Sequence, residues 1–366
     1  MKVDDVSFRS IWYDEEETAV KIIDQRWLPH DFRITTLKSR NDFATAIADM
    51  WVRGAPLIGA TAAYAMAEEM AVNPSDENLN TAWIDLNQTR PTAINLRWAL
   101  TRCKKTLEVL PENERASASM KLAHLIADED VKMNQQIGLH TLKLIKDIAA
   151  HKSSDEPVNL LTHCNAGWLA TVDWGTATSG MYQAYDVGIP IHVWVDETRP
   201  RNQGGLTSWE LGSHGIPHTY ITDNAGGHLM QHGQVDMVIV GTDRTTSQGD
   251  VCNKIGTYLK ALAAFDNNVP FYVALPSPTI DWTVTDGLTE IPIEERPSQE
   301  VSHIMGTQTD KKLGTVRVTP LASNTGNPAF DVTPNRLITG LITERGITEA
   351  SSAGLMKLFS EFEGTK

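Results

Sequence analysis

The feature that most constrains the fold is a regular alternation of short apolar runs with helical patterns, which begins at Val158. The apolar runs are VNLLTHC, IPIHVWV, PHTYIT, VDMVIVG and PFYVALP. Short runs that are apolar on both faces and alternate with helices are typical of a parallel sheet covered on both sides. Because parallel crossovers are right-handed, the pattern predicts an α/β fold with a Rossmann-like, doubly wound parallel sheet.

Two of the helices predicted between these strands bear on function. One is expected from about Trp168 to Tyr185, directly after the first strand. The other is expected in NKIGTYLKALAAFDNN, so that Asn253 and Lys254 would open it after Gly249-Asp250.

The first part of the chain has a different pattern and predicts a mainly helical N-terminal domain. FATAIADMWVRGAPLIGATAAYAMAEEMAV reads as two helices joined at Arg53-Gly54-Ala55-Pro56, and AINLRWALTRCKKTLEVL reads as another. The opening segments VSFRSIWYD and TAVKIID alternate as strands do and suggest a β-hairpin. We expect one domain over residues 1–130 and a second over 131–366, with the boundary in a long helix at 120–155.

Composition excludes several classes of protein. The 366 residues have a formal net charge of −14, and no run of Lys or Arg stands out, so nucleic acid is not an expected partner. Three cysteines are too few for a disulfide framework and suit a reducing cytoplasm. The acidic N-terminus is unlike a signal peptide, and no apolar run reaches ~18 residues, so neither export nor a membrane span is expected.

The carboxyl ends of the predicted strands carry the candidate catalytic residues, because ligands of open α/β sheets bind there. Asp243 follows VDMVIVG, and partial burial there would raise its pKa and suit it as a general acid. A plain alternative is that Asp243 caps a turn or pairs with Arg244. Cys164 ends VNLLTHC, where a lowered pKa would suit a base or transition-state partner. Its plain alternative is a small buried apolar side chain.

Cations near predicted helix starts are candidates for binding an anion. Lys254 beside Asn253, at a helix N-terminus, would suit a phosphate. Arg53 and Arg90 each lie in a turn that precedes a predicted helix. For each arginine the alternative is a solvated or salt-bridged surface residue.

Metal and dinucleotide motifs are weak or missing. His228 and His232 have the spacing that zinc can use on a helix, but no third ligand is evident, so no metal is predicted. There is no GxGxxG after a strand and no GxxxxGK[ST], so no nucleotide cofactor is expected either.

Many ordered motifs between Trp51 and Gly346 together resemble one family. They are RGAPLIGA, RPTAINL, CNAGWLAT, DETRPRNQG, GTDRTTSQGDVCNKIGTY, PFYVALPSPTID, IPIEER, NPAFDVTP and ITERG. The chain resembles the S-methyl-5-thioribose-1-phosphate isomerase family, whose superfamily also holds regulatory subunits of translation initiation factor 2B and ribose-1,5-bisphosphate isomerase.

The resemblance implies an aldose–ketose isomerase that acts on 5-methylthioribose 1-phosphate, 5-deoxyribose 1-phosphate or both. It implies that Asp243 donates a proton to the ring oxygen and that Cys164 acts as base or transition-state partner. The substrate contacts that it implies are Arg53, Gly54, Ala55, Arg90, Gln203, Asn253 and Lys254. It implies no metal or organic cofactor, a small-molecule sugar phosphate as ligand, and a homodimer. The alternatives are a non-catalytic regulatory protein like the initiation factor subunits, and ribose-1,5-bisphosphate isomerase.

Some residues depart from the family pattern. QGGLTSWEL is one residue shorter than the usual segment and lacks its arginine after Gln203-Gly204. Thr245 and Thr246 replace apolar residues, Gln248 replaces asparagine, and Trp168 replaces a small residue. We expect the reaction type to survive these changes, whereas they put the identity of the 5-substituent in question.

Overall fold

The structure of the chain is a computed structural model that describes residues 1–4, 6–90 and 93–363. Pro91 and Thr92, which belong to the quoted motif RPTAINL, lie outside the described residues.

The chain opens with short strands, β1 (Lys2–Val3), β2 (Val6–Ser7), β3 (Ile11–Asp14), β4 (Ala19–Ile23) and β5 (Ile34–Leu37). The predicted hairpin is present, because β3 pairs antiparallel with β4, with Ile11 opposite Ile22. Strand β5 extends this pair to a three-stranded antiparallel sheet, which the sequence did not predict.

Five helices follow, namely α1 (Arg40–Ala48), α2 (Ala55–Val72), α3 (Asp76–Thr89), α4 (Ile94–Leu107) and α5 (Glu112–Ala149). Helix α2 begins with Pro56 in its first turn, a favoured place for proline because the missing N–H has no intrahelical partner there. This helix is buried on nearly every side and packs against α3, α4 and α5. Its small side chains allow that close packing, and the turn before it carries Arg53 to the centre of the molecule.

The second part contains the large sheet and a set of helices around it. Its elements are β6 (Val158–Thr162), α6 (Ser179–Asp186), β7 (Ile191–Asp196), α7 (Gln203–His214), β8 (His218–Ile221), α8 (Ala225–Gln231), β9 (Met237–Val240), β10 (Arg244–Thr246), β11 (Val251–Lys254), α9 (Thr257–Asp266), β12 (Phe271–Ala274), β13 (Ile280–Asp281), α10 (Gly287–Glu290), α11 (Gln299–Ser302), β14 (His303–Thr307), β15 (Leu313–Arg317), β16 (Phe330–Thr333), β17 (Gly340–Thr343), β18 (Gly346–Thr348) and α12 (Ser352–Leu358).

The predicted parallel sheet is confirmed. Its strand order is β18-β17-β12-β9-β6-β7-β8, and every neighbouring pair is parallel except β17 with β18. Successive residues of β9 alternate between two apolar clusters on opposite faces, with Met237 and Ile239 in one and Val238 and Val240 in the other. Both faces are therefore covered, as in a doubly wound fold.

The strand order reverses between β6 and β9. Along the chain, β6, β7 and β8 build outward in one direction, whereas β9, β12 and β17 build outward in the other. A crevice at such a switch point is where open α/β sheets bind ligands. Cys164 follows β6 and Asp243 follows β9, so both lie at this point.

A smaller sheet with the order β13-β10-β11-β16 stands at the carboxyl end of the large one. It corrects the prediction that Asn253 and Lys254 open a helix. Both residues belong to β11, which pairs antiparallel with β16, and the helix α9 starts only after Gly256. Gly256 has a φ of +102°, a left-handed conformation that separates the strand from the helix.

The helix predicted from about Trp168 to Tyr185 is also wrong in its first half. Residues Trp168–Ala170 form a single 3₁₀ turn, and α6 begins only at Ser179. Gly175 lies between them with a φ of +78°, and a Cβ there would approach the backbone of Gly167 to 2.3 Å. This left-handed turn interrupts the helix and packs the segment tightly against the strand end. None of the described helices is both long and apolar enough to cross a membrane.

Candidate active site

All nine residues predicted to bind or react with a ligand line one cavity. They are Arg53, Gly54, Ala55, Arg90, Cys164, Gln203, Asp243, Asn253 and Lys254. They come from the turn before α2, the end of α3, the tips of β6 and β9, the first residue of α7, and β11. Their sequence separation is large, so their convergence follows from the sheet topology. Their individual roles stay predictions.

Cys164 lies at the tip of β6 in a left-handed conformation, with φ +68°. Its backbone is fixed on both sides, since its N–H donates to Thr198 Oγ1 at 2.8 Å and its carbonyl accepts from Thr207 Oγ1 at 2.9 Å. Burial raises the pKa of the Cys164 thiol, although Arg53 and Lys254 act in the opposite direction. The expected lowered pKa is therefore wrong, because loss of solvation outweighs the nearby cations.

Asp243 follows β9 with its backbone N–H bonded to the carbonyl of Cys252 at 3.0 Å. Burial raises the pKa of its carboxyl group, opposed by Lys254, Arg90 and Arg53 in that order. The predicted direction of the pKa is confirmed. Among the described residues the carboxyl group has neither a hydrogen-bond partner nor a cation within salt-bridge distance. The alternative that Asp243 pairs with Arg244 is not observed.

Three cations surround the cavity with few anionic partners. Lys254 Nζ lies 4.4 Å from the centre of the Phe330 ring, and burial lowers its pKa. Arg90 reaches one carboxylate, at 3.5 Å in Glu294, and its Nε finds no hydrogen-bond partner in the described part of the chain. Arg53 is buried and is held by Asn165 through two bonds of 2.7 Å. Buried cations with no counter-ion among the described side chains, such as Arg53 and Lys254, suit an anionic ligand.

The remaining pocket residues shape the cavity. Gly54 has a φ of +91°, and a Cβ there would lie 2.3 Å from the carbonyl oxygen of Ala170, so only glycine fits this turn. Gln203 opens α7, and its buried Oε1 has no hydrogen-bond partner among the described residues. This amide oxygen of Gln203 is therefore available to a ligand hydroxyl. Asn253 Nδ2 donates to Thr257 Oγ1 at 3.0 Å.

A wider groove of about 930 Å³ opens beside the cavity. The two share Met50, Arg53 and Gln203, so the groove leads to the cavity between these side chains. The β14–β15 hairpin contributes Ile304, Met305 and other residues to its wall.

Sequence reasoning missed Glu210, which holds Arg53 indirectly. Glu210 is buried in α7 and accepts hydrogen bonds from Asn165 Nδ2 and, at 3.1 Å, from the N–H of Leu169. Asn165 in turn bonds Arg53. Burial raises the pKa of Glu210 to about 7. The sequence feature that could have identified Glu210 is a carboxylate within the apolar face of the helical segment LTSWELG.

Sequence reasoning also missed a buried group of charges behind Cys164. His163 Nδ1 lies 3.0 Å from Asp196 Oδ2 and 3.7 Å from Asp223 Oδ1. These three side chains have the donor types that a metal could use. Lys260 Nζ, however, lies 3.1 Å from the same Asp196 oxygen, so an ammonium already supplies the positive charge there. The pair His228 and His232 packs ring against ring at 4.2 Å, without a third described ligand.

Comparison with known proteins matches the model of the initiation factor 2 subunit family to residues 51–350. Curated relatives include a methylthioribose-1-phosphate isomerase from Sinorhizobium medicae, 64% identical over 99% of this chain and 100% of the relative. The relative of the same name from Escherichia coli is 58% identical over 99% of this chain and 98% of its own length.

Two solved structures have similar folds. A 5-methylthioribose 1-phosphate isomerase from Pyrococcus horikoshii superposes with a TM-score of 0.82 at 38% identity, covering 97% of this chain and 96% of that one. The translation initiation factor eIF-2B subunit delta from A. fulgidus gives 0.78 at 37% identity, covering 97% and 100%.

Proposed function

The chain belongs to the initiation factor 2 subunit family, and from that premise we propose that it converts 5-methylthioribose 1-phosphate into the corresponding ribulose 1-phosphate. One observation carries the proposal. Asp243, with its raised pKa and no partner in the described chain, shares a cavity with three cations. A proton donor beside a phosphate-binding group is what opening a sugar 1-phosphate ring requires.

Asp243 donates its proton to the ring oxygen. The phosphate on C1 prevents the simple opening of the ring to an aldehyde, so the ring oxygen must be protonated as its bond to C1 breaks. A raised pKa keeps the carboxyl group protonated to higher pH than an ordinary aspartate, which suits this step. We expect the rate to fall as pH rises through the pKa of Asp243.

Arg53, Arg90 and Lys254 bind the phosphate. Each lines the cavity, and the substrate supplies an anion that Arg53 and Lys254 lack among the described side chains and that competes with Glu294 for Arg90. Bonds between such cations and phosphate are strong when water is excluded. Gln203 and Asn253 contact the sugar hydroxyls, and the turn at Gly54-Ala55 allows the close approach of the ligand to the backbone.

Cys164 takes part in the hydrogen transfer between C2 and C1. Its raised pKa keeps it a neutral thiol in the ligand-free cavity. This supports the role of a transition-state partner rather than that of a base already ionised before the substrate binds.

The 5-substituent is methylthio in this proposal. Thr245, Thr246, Gln248 and Trp168 depart from the family pattern, but none of them is among the described residues that line the cavity. Both threonines are fully buried in β10, and Gln248 is exposed. These four departures therefore do not replace any described residue that lines the cavity.

Side-by-side turnover of 5-methylthioribose 1-phosphate and 5-deoxyribose 1-phosphate tests the proposal, with ketose 1-phosphate detected by phosphorus NMR. We expect a preference for the thioether and no turnover by Asp243→Asn. Equal or faster turnover of the deoxy sugar would assign a broader salvage role. No turnover of either by folded protein would contradict isomerase activity and favour a regulatory role like that of the initiation factor subunits.

We further propose that the chain has two domains, residues 1–130 and 131–366, with the cavity in the cleft between them. In support, one apolar cluster is built almost wholly from residues between Ile11 and Ala127. It is separate from the two apolar clusters that pack on the large sheet. Limited proteolysis that yields no fragment divided near α5 would contradict this boundary.

We also propose that the protein is a cytoplasmic homodimer. Its three cysteines are free and buried, as suits a reducing compartment. Light scattering should then give twice the chain mass of 40.4 kDa, and a monomer would contradict the assembly. Fractionation of the native cells would test the compartment.

A further inference from the structure

Four charged side chains, three of them buried and Asp223 partly exposed, form a group directly behind the cavity, and none of the predicted roles uses them. His163, Asp196 and Asp223 come from the ends of β6, β7 and β8, and Lys260 comes from α9. His163 and Asp196 have no exposed surface, and Lys260 is 4% exposed. Lys260 Nζ also donates to the backbone carbonyl of Asp223. We name these four residues the support cluster.

The contacts of His163 fix its protonation state. Its Nδ1 faces Asp196 Oδ2 at 3.0 Å and its Nε2 faces the carbonyl oxygen of Ile255 at 2.9 Å. A carbonyl oxygen can only accept, and Asp196 Oδ2 already faces the Lys260 ammonium, which can only donate, so this oxygen accepts too. Both ring nitrogens must therefore carry protons, which makes His163 an imidazolium. The support cluster then holds two cations and two carboxylates.

The position of His163 in the chain links this cluster to the cavity. His163 directly precedes Cys164, and Ile255 directly follows Lys254. The imidazolium thus joins the backbone segment that carries the thiol to the segment that carries the ammonium. Asp223 adds a second link, because it accepts from the N–H of Thr198, whose Oγ1 accepts from the N–H of Cys164.

We propose that His163 is a positioning residue for this reaction, which as an imidazolium sets the separation of the Cys164 thiol and the Lys254 ammonium across the cavity. The proposal rests on the proposed function, in which both groups touch the substrate. His163 itself lies behind the cavity and does not contact the ligand.

The physical cost of the arrangement supports a role beyond stability. Buried ion pairs contribute little net stability, because desolvation offsets their attraction, and apolar side chains of equal volume often serve as well. The ring is also closely packed, since a Cβ on Gly256 would lie 3.0 Å from it. Burial raises the pKa of Asp331 of β16, and His163 is close enough to oppose that rise, so His163 faces charged groups from four elements. Such an arrangement fixes geometry more than it adds free energy.

Replacing His163 with glutamine tests the proposal, because both donors of an amide sit on one nitrogen and cannot reach acceptors that lie on two sides of a ring. We expect His163→Gln to lower kcat by about 10- to 100-fold, as expected for misplaced reacting groups. The matched control is Lys152→Met, which breaks an ion pair of 2.9 Å with Asp236 at the amino end of the same sheet and leaves the contacts of His163 intact. It should lower Tm while keeping kcat within about threefold. Equal losses of kcat in the two variants, or unchanged kcat in His163→Gln, would overturn the proposal.

Alkylation of Cys164 by iodoacetamide separates positioning from simple loosening of the fold. Arg53 and Lys254 favour the thiolate, so a thiol displaced from them should ionise less readily, and the modification of the Cys164 peptide at pH 8 should be slower in His163→Gln. A faster reaction would mean that the variant merely opens the cavity, and would overturn the proposal.

The protonation state can be measured in the wild-type protein, without any variant. Nitrogen-15 NMR of the 11 histidines, at the pH of the activity assay, should include one ring with protons on both nitrogens. A neutral tautomer at His163 would overturn the proposal even if the enzyme is active. If the wild-type protein turns over neither sugar, the proposed function fails, while this spectrum still decides whether the bridge exists.

Discussion

Two groups of charged side chains lie on either side of the tip of β6, and they differ in how their charges are paired. In the support cluster, Asp196 lies 3.0 Å from an imidazole nitrogen and 3.1 Å from an ammonium. In the cavity, neither Asp243 nor Lys254 has an oppositely charged side chain within 4 Å in the described chain. Paired charges fix the backbone, whereas unpaired buried charges are costly until a ligand completes them. This difference in charge pairing separates the support cluster, which holds the backbone, from the cavity residues, which are left to bind a ligand.

Loss of the Asp243 carboxyl group should have the largest effect. We expect Asp243→Asn to lower kcat/KM by about 10²- to 10⁴-fold, the usual worth of a general acid. Its Tm should stay equal or rise, because burial already disfavours the ionised carboxyl group. Steady-state kinetics and calorimetry measure both quantities.

The matched control is Asp236→Asn, just before the amino end of the same strand. Asp236 lies 2.9 Å from Lys152 and accepts from the N–H of Asn159 at 2.7 Å. This variant should keep full turnover at a lower Tm. An active Asp243→Asn would place the proton donor elsewhere in the cavity.

Two lysine replacements sharpen the comparison, because they should change stability in opposite directions. Lys254→Met removes an ammonium whose pKa burial lowers, so the ligand-free protein should become more stable. Lys260→Met leaves Asp196 short of one partner, and breaking a buried pair costs about 3–5 kcal/mol. Urea denaturation of the two variants measures the difference.

Ligand binding should separate the same two variants. Phosphate should raise the Tm of the wild-type protein and of Lys260→Met by mass action. Lys254→Met should lose this shift and bind the substrate about 10- to 100-fold more weakly, since a charged hydrogen bond is worth about 1.5–3 kcal/mol. An unchanged phosphate shift in Lys254→Met would show that the lysine does not bind the anion.

The pH dependence of stability should report Glu210, which belongs to neither group. Its pKa is raised from 4.5 to about 7, so the folded state holds a proton that the unfolded state has released. The free energy of unfolding therefore falls as pH rises from about 4.5 to 7, and Glu210 accounts for at most about 3 kcal/mol of that fall.

Glu210→Gln should flatten that part of the pH profile of stability. The variant keeps the hydrogen bond from Asn165 when its amide oxygen faces Asn165. Buried Asp130, whose pKa burial raises to about 7, contributes a similar slope and remains in the variant. Denaturation at several pH values measures the change. A slope identical to that of the wild-type protein would mean that Glu210 is ionised in the folded state throughout.

The sheet and the cavity residues could be predicted because each depends on short, local signals. Apolar strands identify themselves by composition, and the topology of a doubly wound sheet brings their ends together. Asp243 and Cys164 followed from that rule alone. The cations followed from turns and motifs, although Asn253 and Lys254 were placed on a helix where the chain forms β11.

The support cluster could not be predicted, because the rule that brings strand ends together does not say which buried side chains touch one another. His163 and Asp196 lie on different strands, and Lys260 lies on a helix much further along the chain. Only the packed structure decides which buried histidine meets a carboxylate. The direction of the Cys164 pKa failed for a similar reason, since burial and nearby cations oppose each other and sequence does not give their balance.

The smallest expected effect concerns a residue that departs from the family pattern but lies outside the cavity. Gln248 is exposed in the turn after β10, and its backbone carbonyl accepts from Asn335 Nδ2 at 2.8 Å. If substrate preference depends on the residues that line the cavity, Gln248→Asn should change the ratio of kcat/KM for the methylthio and deoxy sugars by less than about twofold, since exposed substitutions of this kind are usually near neutral. Phe330→Leu, which changes a cavity wall beneath Lys254, should shift that ratio more, because one methylene-sized change in an apolar pocket is worth about 1–3 kcal/mol. A larger shift in Gln248→Asn than in Phe330→Leu would mean that the turn after β10 reaches the substrate, and that specificity is not confined to the cavity.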